Sequence, residues 1–315
     1  MNQMVLKQVI DVKEIIDDGR VNGNEIVKLF ESFHDVDVEV TEVRGEKGKT
    51  DFVKITIPGS NGKLAGGDAP TLGVVGRLGG LGARPTRIGL VSDGDGAIAA
   101  VSTAYKLALM QTKLDVLPGD VIVTTHICPD APTAPHYPVD FMDSPVTIME
   151  MNQHEITSEM DAILSIDTTK GNVIINHKGI SISPTVKAGY VLKVNSDLVR
   201  IMEMATGQLA NTFPVTTQDI TPYGNDVYHV NSILQPSVAT NAPVVGVAIT
   251  TISAVPGCGT GASHEIDIAD AVRFAIEVAK EFTAKKIQFY DEKEFAHLEK
   301  LYGSMSHLQT YGNVD

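Results

Sequence analysis

Apolar residues between positions 8 and 33 recur at helical spacing: Val9, Ile10, Val12, Ile15 and Ile16, then Ile26, Val27, Leu29 and Phe30 beyond a turn at Asn22-Gly23. This pattern predicts two short amphipathic helices. The segments VDVEVTEV and DFVKITIPG alternate apolar with polar residues, as half-buried strands do. TLGVVGR is instead a continuous apolar run, which suits a strand covered on both faces. After Asp95 the period becomes helical, and AIAAVSTAYKLALM is rich in strong helix formers.

DVIVTTHI reads as another apolar strand, and the proline-rich CPDAPTAPHYP as a loop. Next come a helix in PVTIMEMNQH, a strand in AILSID, two strands near NVIINHKGISISPTV and a helix in SDLVRIMEMATGQLA. The chain then continues with strands in PVTTQD and APVVGVAITTI, a glycine-rich loop VPGCGTGASHE and a closing helix, DIADAVRFAIEVAKEFTAKK. Strands alternating with helices predict an α/β fold: a mixed, mostly parallel central sheet flanked by helices. No repeat, low-complexity tract or linker divides the sequence, so residues 1–315 are expected to form a single domain with a peripheral hairpin.

In such sheets ligands bind outside the carboxyl ends of the strands. Arg77 follows TLGVVG, Asp93 follows IGLVS, Asp130 follows VIVTTHICP, Asp167 follows AILSI, and His264 closes the loop after VAITTI. Any one of them alone reads as a turn residue. Their recurrence at the ends of different strands points to one shared site.

Composition narrows the partners. A net charge of −14, with Lys and Arg scattered, disfavours duplex DNA, RNA and anionic membranes. No apolar run approaches the roughly 18 residues a membrane span needs, and the N-terminus lacks a signal-peptide layout. Two cysteines, Cys128 and Cys258, are too few for a disulfide scaffold, which fits a cytoplasmic location. The GRLGGLG stretch lacks the Lys-Ser/Thr ending of a phosphate loop, and Cys258 has no histidine assigned to activate it.

The succession ITIPGSNG, TLGVVGRLGG, SDGDGAIAAV, GDVIVTTHICPD, AILSIDTT and GCGTGASHEIDIADAV resembles the di-zinc exopeptidase superfamily of aminopeptidases and aminoacylases, over nearly the whole chain. The resemblance implies a phosphorylase- or hydrolase-like fold without the large inserted lid or dimerisation domain of many members. It implies that Asp93 is a bridging metal ligand and that Asp167 and His264 are terminal ligands, with Asp130 in the place of a ligating glutamate. Carboxylates and imidazole are ordinary zinc ligands. Where that family has Gly-His-x-Asp, this chain has Gly76-Arg77-Leu78-Gly79, and Arg77 has no lone pair for a cation.

Arg77 is therefore expected to lie near Asp93 and Asp167 in the first metal's place, pairing bidentately with a carboxylate, and to stabilise the carboxylate cluster or hold a substrate carboxylate. One zinc ion, held by Asp93, Asp130 and His264, is expected rather than two. Pro129 stands at the family's general base. The candidate substitutes are Asp95, His126, His136 and Glu265, with His126 also readable as a metal ligand or a satisfied strand histidine. The expected activity is metal-dependent hydrolysis of an amide bond in a peptide or small amino-acid derivative. The alternative is a non-catalytic relative that binds a small molecule or serves as a structural subunit, with Arg77 replacing metal. Without an inserted domain the site is expected to be open or to be completed by another subunit, and a homo-oligomer is expected.

Overall fold

The computed structural model describes residues 3–77, 79, 89–169, 171–222, 226–227, 232–254 and 263–312. Helices α1 (Gln3–Ile16) and α2 (Gly23–Phe30) precede the hairpin β1 (Asp37–Gly45) and β2 (Gly48–Ile57). Then come β3 (Leu72–Gly76), α3 (Asp95–Gln111), β4 (Val121–Ile127), a small ribbon of β5 (Thr133–Ala134) and β6 (Phe141–Met142), and α4 (Ile148–Glu155). Next are β7 (Ala162–Thr168), β8 (Gly179–Lys187), β9 (Tyr190–Val191), α5 (Ser196–Thr206) and α6 (Thr217–Ile220). The chain ends with β10 (Val244–Thr250), α7 (Glu265–Thr283) and α8 (Glu292–Tyr302).

Eight strands form one sheet in the order β1-β2-β4-β3-β7-β10-β8-β9. The central four, β4, β3, β7 and β10, are mutually parallel. Only β2 and β8 run against the other six. The expected mixed, mostly parallel sheet is therefore observed, and its apolar strands explain the parallel centre, because both faces are covered. Leu72 and Val74 of β3 join the larger core under α1, α3, α5 and α7, while Val75 joins a second core with Ile122, Ile163, Ile233 and Ala248.

The second face changes character along the strands. From amino to carboxyl end, its alternate positions run Ile122, Thr124, His126 on β4 and Ile163, Ser165, Asp167 on β7, and Val75 on β3 is followed by Arg77. All of these positions are buried. A polar layer thus lies at the carboxyl ends of the strands. From β3 the chain crosses to β4 on one side and later returns to β7 on the other, so the crevice between β3 and β7 is the topological switch point of the sheet.

Close approach shapes this end. A Cβ on Gly96, in the first turn of α3, would lie 2.7 Å from the Ile166 carbonyl oxygen and 2.8 Å from that of Arg77. Only glycine lets α3 begin directly against β3 and β7.

Four local expectations are corrected. PVTTQD is not a strand but leads into α6, where the Asp219 carboxylate accepts from both the backbone N–H and the hydroxyl of Thr216. Only one strand, β8, forms in 172–186, because Asn172 Oδ1 accepts from the N–H groups of Ile174 and Ile175 and holds a turn. Residues 89–91 before Asp93 are not a strand but run into a 3-10 turn, Ser92–Gly94. Finally, α7 is followed by α8, whose N-cap Asp291 accepts from the N–H groups of Lys293 and Glu294. Among the described residues no helix is long and apolar enough to cross a membrane.

Candidate acid–base site

Arg77 prolongs the β3–β7 pairing by one residue, its N–H donating to the Ile166 carbonyl at 2.8 Å. Its side chain is wholly buried. Nη1 donates to Glu155 Oε2 at 2.6 Å and to Asn152 Oδ1 at 3.2 Å. Nε and Nη2 have no hydrogen-bond partner among the described residues. The expected bidentate pairing is thus corrected: the partner is a glutamate from the end of α4, reached through one nitrogen.

Glu155 also pairs through its other oxygen, Oε1, with His126 Nδ1 at 2.7 Å. Burial alone would push the Glu155 carboxyl up, but the charge of Arg77 and the bond to His126 outweigh it and hold the group below the usual glutamate range. A buried anion is thereby held between a guanidinium and an imidazole. Thr124 Oγ1 donates to the Glu155 carbonyl at 2.8 Å, fixing the end of α4 over β4. Asn152 Nδ2 donates to the Gln235 carbonyl at 3.3 Å, which ties α4 to the 3-10 turn Gln235–Val238.

The other half of the site is carboxylic. Asp93 sits in the 3-10 turn Ser92–Gly94, Asp95 begins α3 and Asp167 lies near the end of β7; all three are buried. Asp167 accepts from the Thr168 N–H at 2.7 Å and from Ser232 Oγ at 3.1 Å, while Asp95 accepts from the Ser263 hydroxyl. Burial raises Asp93 well above the usual aspartate range, and the nearby charges of Asp167 and Asp95 add to the effect. Burial also raises Asp167, to about 6, against the opposing charge of Arg77 and the two hydrogen bonds.

Asp93 and His126 line one pocket of about 1000 Å³, at the upper end of the roughly 300–1,000 Å³ typical of small-molecule sites. Cys128 also lines it, but burial pushes its thiol up to about 11, which leaves it a poor nucleophile at neutral pH.

Arg77, His126, Asp93, Asp95 and Asp167 therefore come together as side chains of one buried layer. Four other candidates do not join it. Asp130 is exposed in the loop beyond β4, and His264 is exposed at the N-cap position of α7. Glu265 is ion-paired with Lys13 of α1, a contact that lowers its pKa. His136 is exposed, with Nδ1 3.0 Å from the Val139 carbonyl and its ring 3.9 Å from that of Phe141. The ligand trio of Asp93, Asp130 and His264 thus joins one buried group to two surface ones. Among the described residues no group of three or more His, Cys, Asp or Glu is placed to hold a metal ion. Cys258 and most of GRLGGLG lie outside the described residues. Asp219 caps α6, and Asp226 occupies an exposed turn with φ 60°.

Sequence reasoning missed Glu155 and Asn152. Their signal was two polar side chains three residues apart on the helical face that also carries Met151, and all three are buried.

The model of a family described as proteins of unknown function, DUF1177, matches residues 41–312. The chain belongs to that family. This overturns the resemblance to the di-zinc exopeptidases, since nothing in the match links DUF1177 to them. The resemblance rested on polar residues ending successive strands, an order that parallel α/β sheets of many functions share. A search of curated proteins finds no match.

Proposed function

We propose that the protein binds the carbonyl group of a small molecule between Asp93 and His126 and hydrolyses an amide bond there by acid–base chemistry. One observation carries this reading: His126 Nδ1 is held by a wholly buried Glu155 that Arg77 keeps ionised, and the same histidine shares a pocket wall with the elevated carboxyl group of Asp93. With its proton on Nδ1, the ring donates to Glu155 and Nε2 is the basic nitrogen. Glu155 engages Nδ1 and not Nε2.

In the proposed step a water oxygen bonds to the carbonyl carbon while its proton passes to His126 Nε2. The protonated Asp93 donates a hydrogen bond to the carbonyl oxygen as negative charge grows there. The C–N bond then breaks, and His126 returns its proton to the departing nitrogen, giving a carboxylic acid and an amine. An amide is the bond to test because its cleavage needs both a base for water and a proton for nitrogen.

A second reading, binding without turnover, is favoured by the wholly buried Arg77–Glu155 pair, which also serves to lock α4 onto β3. Incubating the protein with a panel of N-acyl and aminoacyl amides, and detecting released amine by mass spectrometry, separates the two. Release by the wild type that is lost in Asp93→Asn supports hydrolysis. Saturable binding with no release across the panel leaves the binding reading.

A further inference from the structure

The pocket, at about 1000 Å³, is large enough to hold more than a reacting carbonyl, and its lining bears on what the remainder is. Most of its polar side chains already have partners within the protein. Arg44 pairs with Glu42 at 2.7 Å, Lys47 pairs with Asp143, and Glu150 accepts from the Thr147 N–H at 2.7 Å and its hydroxyl at 2.9 Å. Arg44 and Lys47 are thus each matched in charge by a carboxylate of the protein. The rest of the lining includes the apolar Met142, Ile148 and Met149. Val146 and Met151 form a small buried cluster with Phe52 beneath this wall. Phe52 in turn lies 5.4 Å, ring to ring, from His126.

Two methionines, Met142 and Met149, in one pocket are informative. Their side chains are unbranched, flexible and polarisable, so they mould around apolar groups of varied length better than rigid branched or aromatic residues do. Met149 is 42% exposed, a large apolar side chain left open to solvent at the pocket.

We propose that this wall is an acyl-chain subsite, taking an unbranched aliphatic chain attached to the carbonyl that meets Asp93 and His126. The inference rests on the reading of those two residues as the carbonyl-binding end. It makes the substrate a medium-chain N-acyl amide.

The test uses the whole protein carrying [methyl-13C]methionine and the series N-acetyl-, N-butanoyl-, N-hexanoyl- and N-octanoyl-alaninamide. Dissociation constants should fall by about fourfold for each added methylene until the pocket is filled, as burial of a CH2 group predicts. The methyl signals of Met142 and Met149 should shift together, and those of methionines far from the pocket should not. Met149→Gln, at a half-exposed position that folding tolerates, should flatten the chain-length dependence with an unchanged thermal midpoint. Affinity independent of chain length, or shifts confined to other methionines, would overturn the subsite. The outcomes separate from those for hydrolysis: steep chain-length dependence without amine release sinks only the hydrolytic reading, whereas equal amine release from the acetyl and octanoyl compounds sinks only the subsite.

Discussion

Asp167 keeps its proton up to about pH 6 in the fold, whereas an ordinary aspartate releases it near 3.8. Between these values the native state binds more protons than the unfolded chain, so stability falls as pH rises, and the loss is complete above about pH 6. The shift corresponds to roughly 3 kcal/mol for this buried group. Asp167→Asn, which still offers an oxygen to Ser232, should raise stability at pH 7 by about 1–3 kcal/mol. Urea unfolding at pH 4, 5, 6 and 7 should show its curve flattened across that interval; an unchanged pH dependence would place the penalty elsewhere. Glu155 has the opposite sign, because its lowered pKa contributes stability above the usual glutamate value that is lost on acidification through the folded one. Glu155→Ala leaves the buried Arg77 charge unpaired and should cost about 3–5 kcal/mol in denaturant titrations, with Glu155→Gln costing less. Arg77 and Asp167 could be picked out from the sequence because each follows an apolar run at a strand end, and Asp93 because it also follows an apolar run, although residues 89–91 form no strand. Glu155 could not, since a glutamate at the end of an exposed-looking helix is ordinary until the fold lays that helix over His126.

At the scale of elements, the junction of α3 with β3 and β7 is the most sensitive point. Gly96→Ala would put a methyl group against two backbone oxygens, at 2.7 and 2.8 Å, and neither can swing away as a side-chain tip would. The expected cost is about 1–3 kcal/mol, read as a lower urea midpoint with an unchanged slope, and Asp93 should be displaced with the helix. A midpoint equal to that of the wild type would contradict the tight contact. The central strands were legible because strands buried on both faces read as unbroken apolar runs, as in TLGVVG and APVVGVAIT. PVTTQD misled because its alternation is too short to outweigh the Thr216–Asp219 capping interactions that start α6. The aromatic packing of Phe295 on Tyr190, which anchors α8, joins residues too far apart in sequence for periodicity to show.

For the whole molecule, the sheet order places β3 and β7 side by side at the switch point, and the polar ends of three strands meet beneath α4. The alternation of residues on one sheet face, apolar at one end and polar at the other, was present in the sequence. What it lacked was the strand order that puts β4 beside β3 and β7 on its other side. The motif order suggested a metal centre, but Asp130 and His264 point to solvent, while a buried arginine, glutamate and histidine occupy the layer instead. The central claim is that His126, held by Glu155, acts with Asp93 on a bound carbonyl. The most direct measurement is kcat/KM for amine release from the best-bound N-acyl amide, comparing the wild type with His126→Gln. The account predicts a loss of about 10²- to 10⁴-fold with the substrate still bound; release at the wild-type rate by His126→Gln would contradict it.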